Sequence, residues 1–327
     1  MPMHGRSMLF VCPQCGSPNE LPYDGQARLP CGCLAIRSEF GFLDLRPERS
    51  PLDAAFDVLY RQIAKVDVEA AIQPSGFLNL KANSDHTRLG LIHSEMRILE
   101  IGPGSGTLTR KLAESGAEIV CVDLTDAYYC QDSFPREKAS CIVADAQALP
   151  FIGQFDLVVM TDVLEHVLRP ADVLFSVAEA LVPGGRLYVR SPANEALAPY
   201  GQRRGCSFPA VHLRTYSKAT LRAELVAAGF RVGRNIHYER SLTWRFPNAF
   251  SVAIRDWLQG QYAQNEQKLP AYAKRLYSLS RRRVWRHLLT SSIEIWASAQ
   301  LVSQVRPESF SSADVNYVGL IDLESRN

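Results

Sequence analysis

A chain of 327 residues, 46% of them apolar, is long enough for one elaborated domain with appendages and a sizeable buried core. A net charge of +2 with 21% charged residues excludes a polyanion binder working by bulk charge. No apolar run approaches the roughly 18 residues that span a bilayer, and no basic-then-apolar leader opens the chain, so a cytoplasmic protein is expected. The charge is uneven: residues 231–327 carry 14 Lys/Arg and 8 Asp/Glu, a net of +6 against −4 for the rest. That basic third reads either as a surface for an anionic partner or as a solvated helical face.

The first element is a cysteine cluster, Cys12-Pro-Gln-Cys15 and Cys31-Gly-Cys33. A Cys-x-x-Cys turn aims two thiolates at one point, and a second close pair completes a tetrahedral zinc site. Gly16 and Gly32 supply the tight backbone. Four protein ligands point to a structural ion, because a catalytic zinc keeps a position open. Cys121, Cys130, Cys141 and Cys206 are scattered, and Cys121 reads as a small core residue. Cys-Pro-x-Cys with Gly41-Phe-Leu-Asp-Leu-Arg-Pro47 resembles the N-terminal zinc ribbons of some bacterial ribosomal-RNA guanine methyltransferases. Those ribbons end with a Cys and a His at wider spacing; here Cys31-Gly-Cys33 stands instead, and RNA recognition does not carry over with the resemblance.

Pro47–Pro51 is a linker, and Leu52, Phe56, Leu59, Ile63 and Val66 recur at helical spacing. A second helix should end near Met96. From Arg97 the pattern alternates. Strands are expected at 97–101, 118–122, 141–144, 155–161, 186–190 and 230–238, with helices at 108–115, 171–181 and 218–228. Apolar strands alternating with helices predict a doubly wound, mainly parallel sheet, with ligands outside the carboxyl ends of its strands. Helices are expected at Phe250–Gln261, Leu269–Leu289 and Ser292–Val305, and Val315–Leu323 reads as the last strand. The expected domains are a zinc ribbon (1–47), a helical cap (48–95), a core (96–240 plus 313–327) and a helical insertion covering the substrate (241–312). The insertion holds Trp244, Trp257, Trp285 and Trp296 and the basic run Arg281–Arg283. That run fits a phosphate, RNA or lipid contact, or the wet side of an amphipathic helix.

The most informative stretch is Leu99-Glu-Ile-Gly-Pro-Gly-Ser-Gly-Thr-Leu108, a strand–glycine–helix turn. A dinucleotide fingerprint would read G-x-G-x-x-G; here Gly102, Gly104 and Gly106 give G-x-G-x-G, with Glu100 two residues ahead. Asp123 ends the second strand and Asp145-Ala146 the third. From Ile98 to Phe230 the sequence resembles the class I S-adenosylmethionine-dependent methyltransferases. The match adds Leu149-Pro-Phe151, Thr161-Asp-Val-Leu-Glu-His166 and Leu181-Val-Pro-Gly-Gly-Arg-Leu187. The resemblance implies a Rossmann-like, seven-stranded doubly wound sheet and an S-adenosylmethionine site. Glu100, Gly102, Gly104 and Gly106 would line the methionine and ribose, Asp123 and Leu124 the ribose, Asp145 and Ala146 the adenine, with Thr161 at the exit of the fourth strand.

His166 and His212 are the candidate catalytic residues. His166 follows the fourth strand and reads as a base or as site architecture. His212, in Val211-His-Leu-Arg-Thr-Tyr-Ser217, is the better base candidate; Arg214 and Tyr216 assist it or help cap the next helix with Ser217. A methyl on a sulfonium is already activated, so alignment and exclusion of water dominate and no catalytic metal is required. The favoured acceptor is a small molecule. RNA is the alternative, supported by the ribbon, although the Asn/Asp-Pro-Pro-Tyr motif of amino-group methylation is missing after the fourth strand. A non-catalytic cofactor-binding protein is the third reading, and the intact cofactor motifs argue against it.

Overall fold

The computed structural model describes residues 8–21, 27–70, 75–193, 212–233, 236–241 and 291–303. The expected helices at 250–261 and 269–289, the strand at 315–323, Cys206 and the Arg281–Arg283 run lie outside them.

Two short antiparallel strands open the chain, β1 (Met8–Val11) and β2 (Pro18–Leu21). β3 (Leu43–Asp44) follows, then two helices, α1 (Pro51–Ala70) and α2 (Ser75–Leu89). The start of α1 is set locally. Pro51 stands at its first position, and Ser50 Oγ both accepts the Asp53 N–H and donates to the Asp53 carboxylate.

The alternating region then runs β4 (Arg97–Ile101), α3 (Thr107–Ala113), β5 (Glu118–Asp123), β6 (Ser140–Val143), β7 (Phe155–Thr161), α4 (Pro170–Ala180) and β8 (Leu181–Pro192). After it come α5 (Lys218–Ala227), β9 (Phe230–Arg231), β10 (Ile236–Ser241) and β11 (Ser291–Leu301). The strand expected at 230–238 is thus two pieces. β8 includes the Pro183-Gly-Gly185 turn as an irregularity: its register with β7 jumps from Leu181 opposite Phe155 to Arg186 opposite Leu157.

The main sheet has the order β10-β11-β8-β7-β4-β5-β6-β3, with β9 beside β11. Seven strands, β6-β5-β4-β7-β8-β11-β10, form the doubly wound core. β4 through β8 are parallel, and β11 runs antiparallel to both β8 and β10. β3 extends one edge, pairing in parallel with β6, so the N-terminal segment is built into the sheet.

Successive residues of a strand point to opposite faces, and two apolar clusters result. On one face Leu99, Val120, Val158 and Val189 pack with Val173 and Val177 of α4, Leu221 and Leu225 of α5, and Met8 and Phe10 of β1. On the other, Ile98, Ile119, Val159 and Tyr188 pack with Leu108 and Leu112 of α3 and Ala82 and Leu89 of α2. Strands buried on both faces explain the near-continuous apolar runs.

One expectation is corrected. The described part of the helix expected at Ser292–Val305, residues 292–303, is not helical: it belongs mostly to the strand β11, which lies between β8 and β10. Its Ala and Ser residues suit a helix, but the burial has period two: Ile295, Ala297, Ala299 and Leu301 are buried and their neighbours are not. The core therefore regains a strand at Ser291, well before residue 313. No described helix is long and apolar enough to cross a membrane.

Candidate functional site

The carboxyl ends of β4, β5, β6 and β7 converge on the glycine loop. Gly102 has φ +66°, and a Cβ there would meet Val163 at 2.6 Å. Its N–H donates to the Val122 carbonyl at 2.9 Å, which fastens the loop to β5. Gly104 has φ +52°, and a Cβ there would meet nothing within 4 Å, so backbone is presented to open space. Gly106 is the left-handed residue that caps α3.

Glu100 lies beneath the loop rather than in the open. It is 2% exposed, its Oε2 is 4.0 Å from Cys121 Sγ, and Thr109 of α3 hydrogen-bonds to it. Burial raises its pKa to about 8, against the lowering effect of Thr109. These contacts make Glu100 a brace between β4, β5 and α3.

Asp123 closes β5, 3% exposed. Its Oδ1 accepts the Thr125 N–H at 3.1 Å, whereas Oδ2 is buried with no hydrogen-bond partner. Burial raises its pKa to about 7, although the Thr125 and Leu124 backbone donors pull the other way. Asp145 is different, because both its oxygens already have donors. Oδ1 accepts the Gln147 N–H at 2.8 Å, and Oδ2 accepts from the Arg49 guanidinium and Gln147 Nε2. Arg49 comes from the linker and also holds Asp57 of α1 at 2.6 Å. Asp145 therefore accepts a new donor only if Arg49 gives way. Ala146 opens the short turn after it, and Thr161 ends β7 opposite Arg190.

The second half of the site follows β7. Asp162 has φ +59°, unusual for a residue with a side chain. Its Oδ2 takes Lys81 of α2 at 2.7 Å and Arg190 of β8 at 3.0 Å. Arg190 is buried and also contacts Glu294 of β11 at 2.9 Å and Asp85 of α2 at 3.2 Å, while Tyr188 donates to Asp85 at 2.6 Å. Burial opposes ionisation of Asp162, but the Arg190 and Lys81 charges overcome it and hold the carboxylate far below its usual range. This network ties the cap helix α2 to three strands.

His166 and His212 are brought together, with ring centroids 4.7 Å apart and planes at 77°. The clamp is Arg214, whose guanidinium donates to the carbonyls of Leu164 (2.8 Å), Leu168 (3.2 Å) and Val167. The Leu213 N–H adds a 2.7 Å bond to the Glu165 carbonyl. Arg214 is thus a structural staple, and Ser217 caps α5 through the Thr220 N–H. Glu165 is wholly buried; Ser191 donates to its Oε2 at 3.0 Å, and its Oε1 has no hydrogen-bond partner.

At the other end of the chain, the sulfurs of Cys12, Cys15, Cys31 and Cys33 lie within 4.8 Å of one another. The Gly16 N–H turns back to the Cys12 carbonyl at 2.8 Å, and Asn19 Oδ1 accepts the Cys31 N–H at 3.0 Å. The segment is docked on the sheet: the Val11 N–H reaches the Pro150 carbonyl at 2.7 Å and Gln154 accepts the Leu9 N–H at 2.6 Å.

Sequence reasoning missed Arg49, the Lys81–Arg190 network and the Arg214 staple. A charged residue ending the apolar run Leu187-Tyr-Val-Arg190 was a usable signal; the Arg49 contact, 96 residues from its partner, left none.

Residues 77–234 match the methyltransferase-domain family. The chain is 30% identical over 174 residues to the ubiquinone/menaquinone biosynthesis C-methyltransferase UbiE of Ectopseudomonas mendocina, covering 49% of this chain and 67% of that protein. It is 29% identical over 130 residues to the ubiquinone biosynthesis O-methyltransferase of Pseudomonas aeruginosa, covering 38% of this chain and 55% of that one. The match thus spans between about half and two thirds of these relatives. A solved S-adenosylmethionine-dependent methyltransferase from Aquifex aeolicus superposes with a TM-score of 0.46 at 14% identity, over 73% of this chain and 98% of that one. The chain belongs to the class I S-adenosylmethionine-dependent methyltransferases.

Proposed function

We propose that this protein transfers a methyl group from S-adenosylmethionine to a small-molecule acceptor. The observation that carries the acceptor assignment is the His166–His212 pair, held by Arg214 at the strand ends beside the glycine loop. The pair is partly buried and compact, which suits a small acceptor. The relatives named for ubiquinone biosynthesis support the same class.

The residues present fit the cofactor. The unpartnered Oδ2 of Asp123 suits a ribose hydroxyl, a donor it lacks. The open backbone at Gly104 suits close approach by a ligand. Gly102, Gly104, Gly106, Asp123 and Leu124 would hold the methionine and ribose, with Glu100 bracing them. Asp145, Ala146 and Thr161 would border the adenine and the methyl. When bound, S-adenosylmethionine supplies a methyl group on a sulfonium with a neutral leaving group. His166 and His212 orient the acceptor for in-line approach, and the α2 network shields the strand ends from water.

The four cysteines would hold a structural zinc ion. Thiolates within 4.8 Å of one another suit a soft tetrahedral ion. Part of the ribbon is spent on the core: Met8, Phe10, Leu29, Leu43 and Leu45 are buried in it, and β3 pairs with β6. That use supports a scaffolding ribbon over an RNA-reading one.

The test is methyl transfer from labelled S-adenosylmethionine to two pools, phenolic and hydroxylated small molecules and total RNA. Label in the small-molecule pool supports the proposal; label only in RNA overturns it.

A further inference from the structure

Glu165, His166 and His212 form a constellation that methyl transfer does not itself require. One ligating atom from each, a carboxylate oxygen and two imidazole nitrogens, lies within 4.8 Å of the others. His166 Nε2 is 3.9 Å from Glu165 Oε1, too far for a hydrogen bond. Glu165 is 0% exposed, and that same Oε1 is buried without a hydrogen-bond partner while Oε2 is fixed by Ser191. A buried carboxylate oxygen aimed at two imidazoles and left unsatisfied is costly unless something fills the space between them. The two histidines reach this point from different loops, and the Arg214 staple and the Leu213 bond hold those loops in register.

The geometry points to a divalent metal site formed by Glu165, His166 and His212, separate from the cysteine cluster. Two imidazoles and one carboxylate on a single side are the donor set of a borderline first-row ion such as Fe²⁺, Mn²⁺, Co²⁺ or Zn²⁺, with positions left open. Donors bound to one such ion sit roughly 3 Å apart, so small rotations of the partly exposed imidazoles complete the site. Asp162 is close in sequence but is engaged by Lys81 and Arg190, which sets it apart from the ligand set. The open positions take an oxygen donor, and an acceptor hydroxyl is the chemistry they select. An ion held by Glu165, His166 and His212 would lower the pKa of such a hydroxyl, whose proton would be lost to bulk water, leaving its oxygen to take the methyl group. No electrons change hands. The histidines would then orient the acceptor through the ion. This rests on the acceptor-side reading of the pair, whereas cofactor binding does not depend on it.

The experiment uses the full chain, stripped by a chelator and reloaded with Co²⁺ alone. Thiolate-bound Co²⁺ absorbs strongly in the near ultraviolet, and the imidazole–carboxylate site is read separately by proton NMR. Two ions per wild-type chain are expected, with two exchangeable, paramagnetically shifted imidazole N–H signals. His212→Ala should keep one ion and lose those signals; Cys12→Ser should lose the ultraviolet band and keep them. A wild-type chain without shifted imidazole signals overturns the proposal and needs no variant to fold. So does a second ion that survives His212→Ala. A parallel titration of S-adenosylmethionine separates the failures: cofactor binding without the second ion refutes only this site, and no cofactor binding refutes the methyltransferase reading itself.

Discussion

Asp123 gives the sharpest test of the cofactor site. Its Oδ2 is buried without a donor, and burial holds the carboxyl at about 7 in the cofactor-free chain. A ribose hydroxyl donating to it favours the ionised form, so binding must draw on the ionised fraction. At pH 6 about one molecule in eleven is ionised, at pH 7 about half, and at pH 8 about nine in ten. The apparent Kd for S-adenosylmethionine should therefore tighten roughly tenfold from pH 6 to pH 8. Hydrogen bonds to a charged acceptor contribute about 1.5–3 kcal/mol, so Asp123→Asn should weaken binding roughly 10- to 150-fold and flatten that pH dependence. Calorimetric titration at pH 6, 7 and 8 on both proteins reads both effects. Equal affinities, or a wild-type Kd that does not move with pH, would refute the ribose assignment. The stability of the free protein has the opposite sign. Asp123 and Glu100 hold protons when folded, at about 7 and about 8, where the unfolded chain has already released them. Their contribution is therefore greatest in acid and is lost as pH rises from about 4 toward about 8. The cofactor-induced rise in Tm should accordingly be larger at pH 8 than at pH 6.

Arg49→Met should free Asp145 for a new donor, tightening S-adenosylmethionine by a few-fold while lowering Tm; weaker binding measured by calorimetry would mean that Arg49 supports the site instead of competing for it. Arg190→Met should cost roughly 3–5 kcal/mol in urea unfolding, because Asp162, Asp85 and Glu294 lose a shared buried partner. Arg214→Ala strips donors from three carbonyls; kcat should fall at least about tenfold with the cofactor Kd unchanged, and a change confined to the cofactor Kd would contradict the acceptor-side role. Cys12→Ser should release zinc by elemental analysis and lower Tm by about 5 °C or more, because the ribbon shares the main core; metal retained in that variant would argue against the four-cysteine site.

What is legible in the sequence is what local physics determines. β4 to β7 are short apolar runs ending in glycine or a carboxylate, and burial on both faces produces that signature without reference to the rest of the chain. The glycine spacing at 102–106 separates this loop from a dinucleotide turn because each position has its own backbone demand. β11 reads as a helix because Ser, Ala and Gln fit either state; only pairing with β8 and β10 decides it, and pairing is tertiary. The linker arginine is illegible for the same reason. Arg49 meets Asp145 only because β3 adds to the edge at β6 and carries the following linker past the end of that strand. His166 and His212 can be nominated singly from their places after β7 and β8, but their contact depends on Arg214, whose role no spacing announces.

The placement of unsatisfied polar atoms links these observations. Among the described residues six buried side-chain atoms lack a hydrogen bond, and four belong to Asp123, Asp162, Glu165 and Arg190. All four sit at or just beyond the carboxyl ends of β5, β7 and β8. An unmet buried group costs roughly 1–3 kcal/mol, a cost a core would shed by substitution if nothing used the group. The other strand-end carboxylate, Asp145, avoids that cost by drawing Arg49 onto itself. Among the described residues no Lys or Arg pairs with Asp123 or Glu165, His166 comes only within 3.9 Å of Glu165, and each carboxylate keeps one oxygen without a hydrogen bond. A ribose hydroxyl at the first and a metal ion at the second would satisfy both, and would place the cofactor and the acceptor at strand ends on either side of β4 in one sheet.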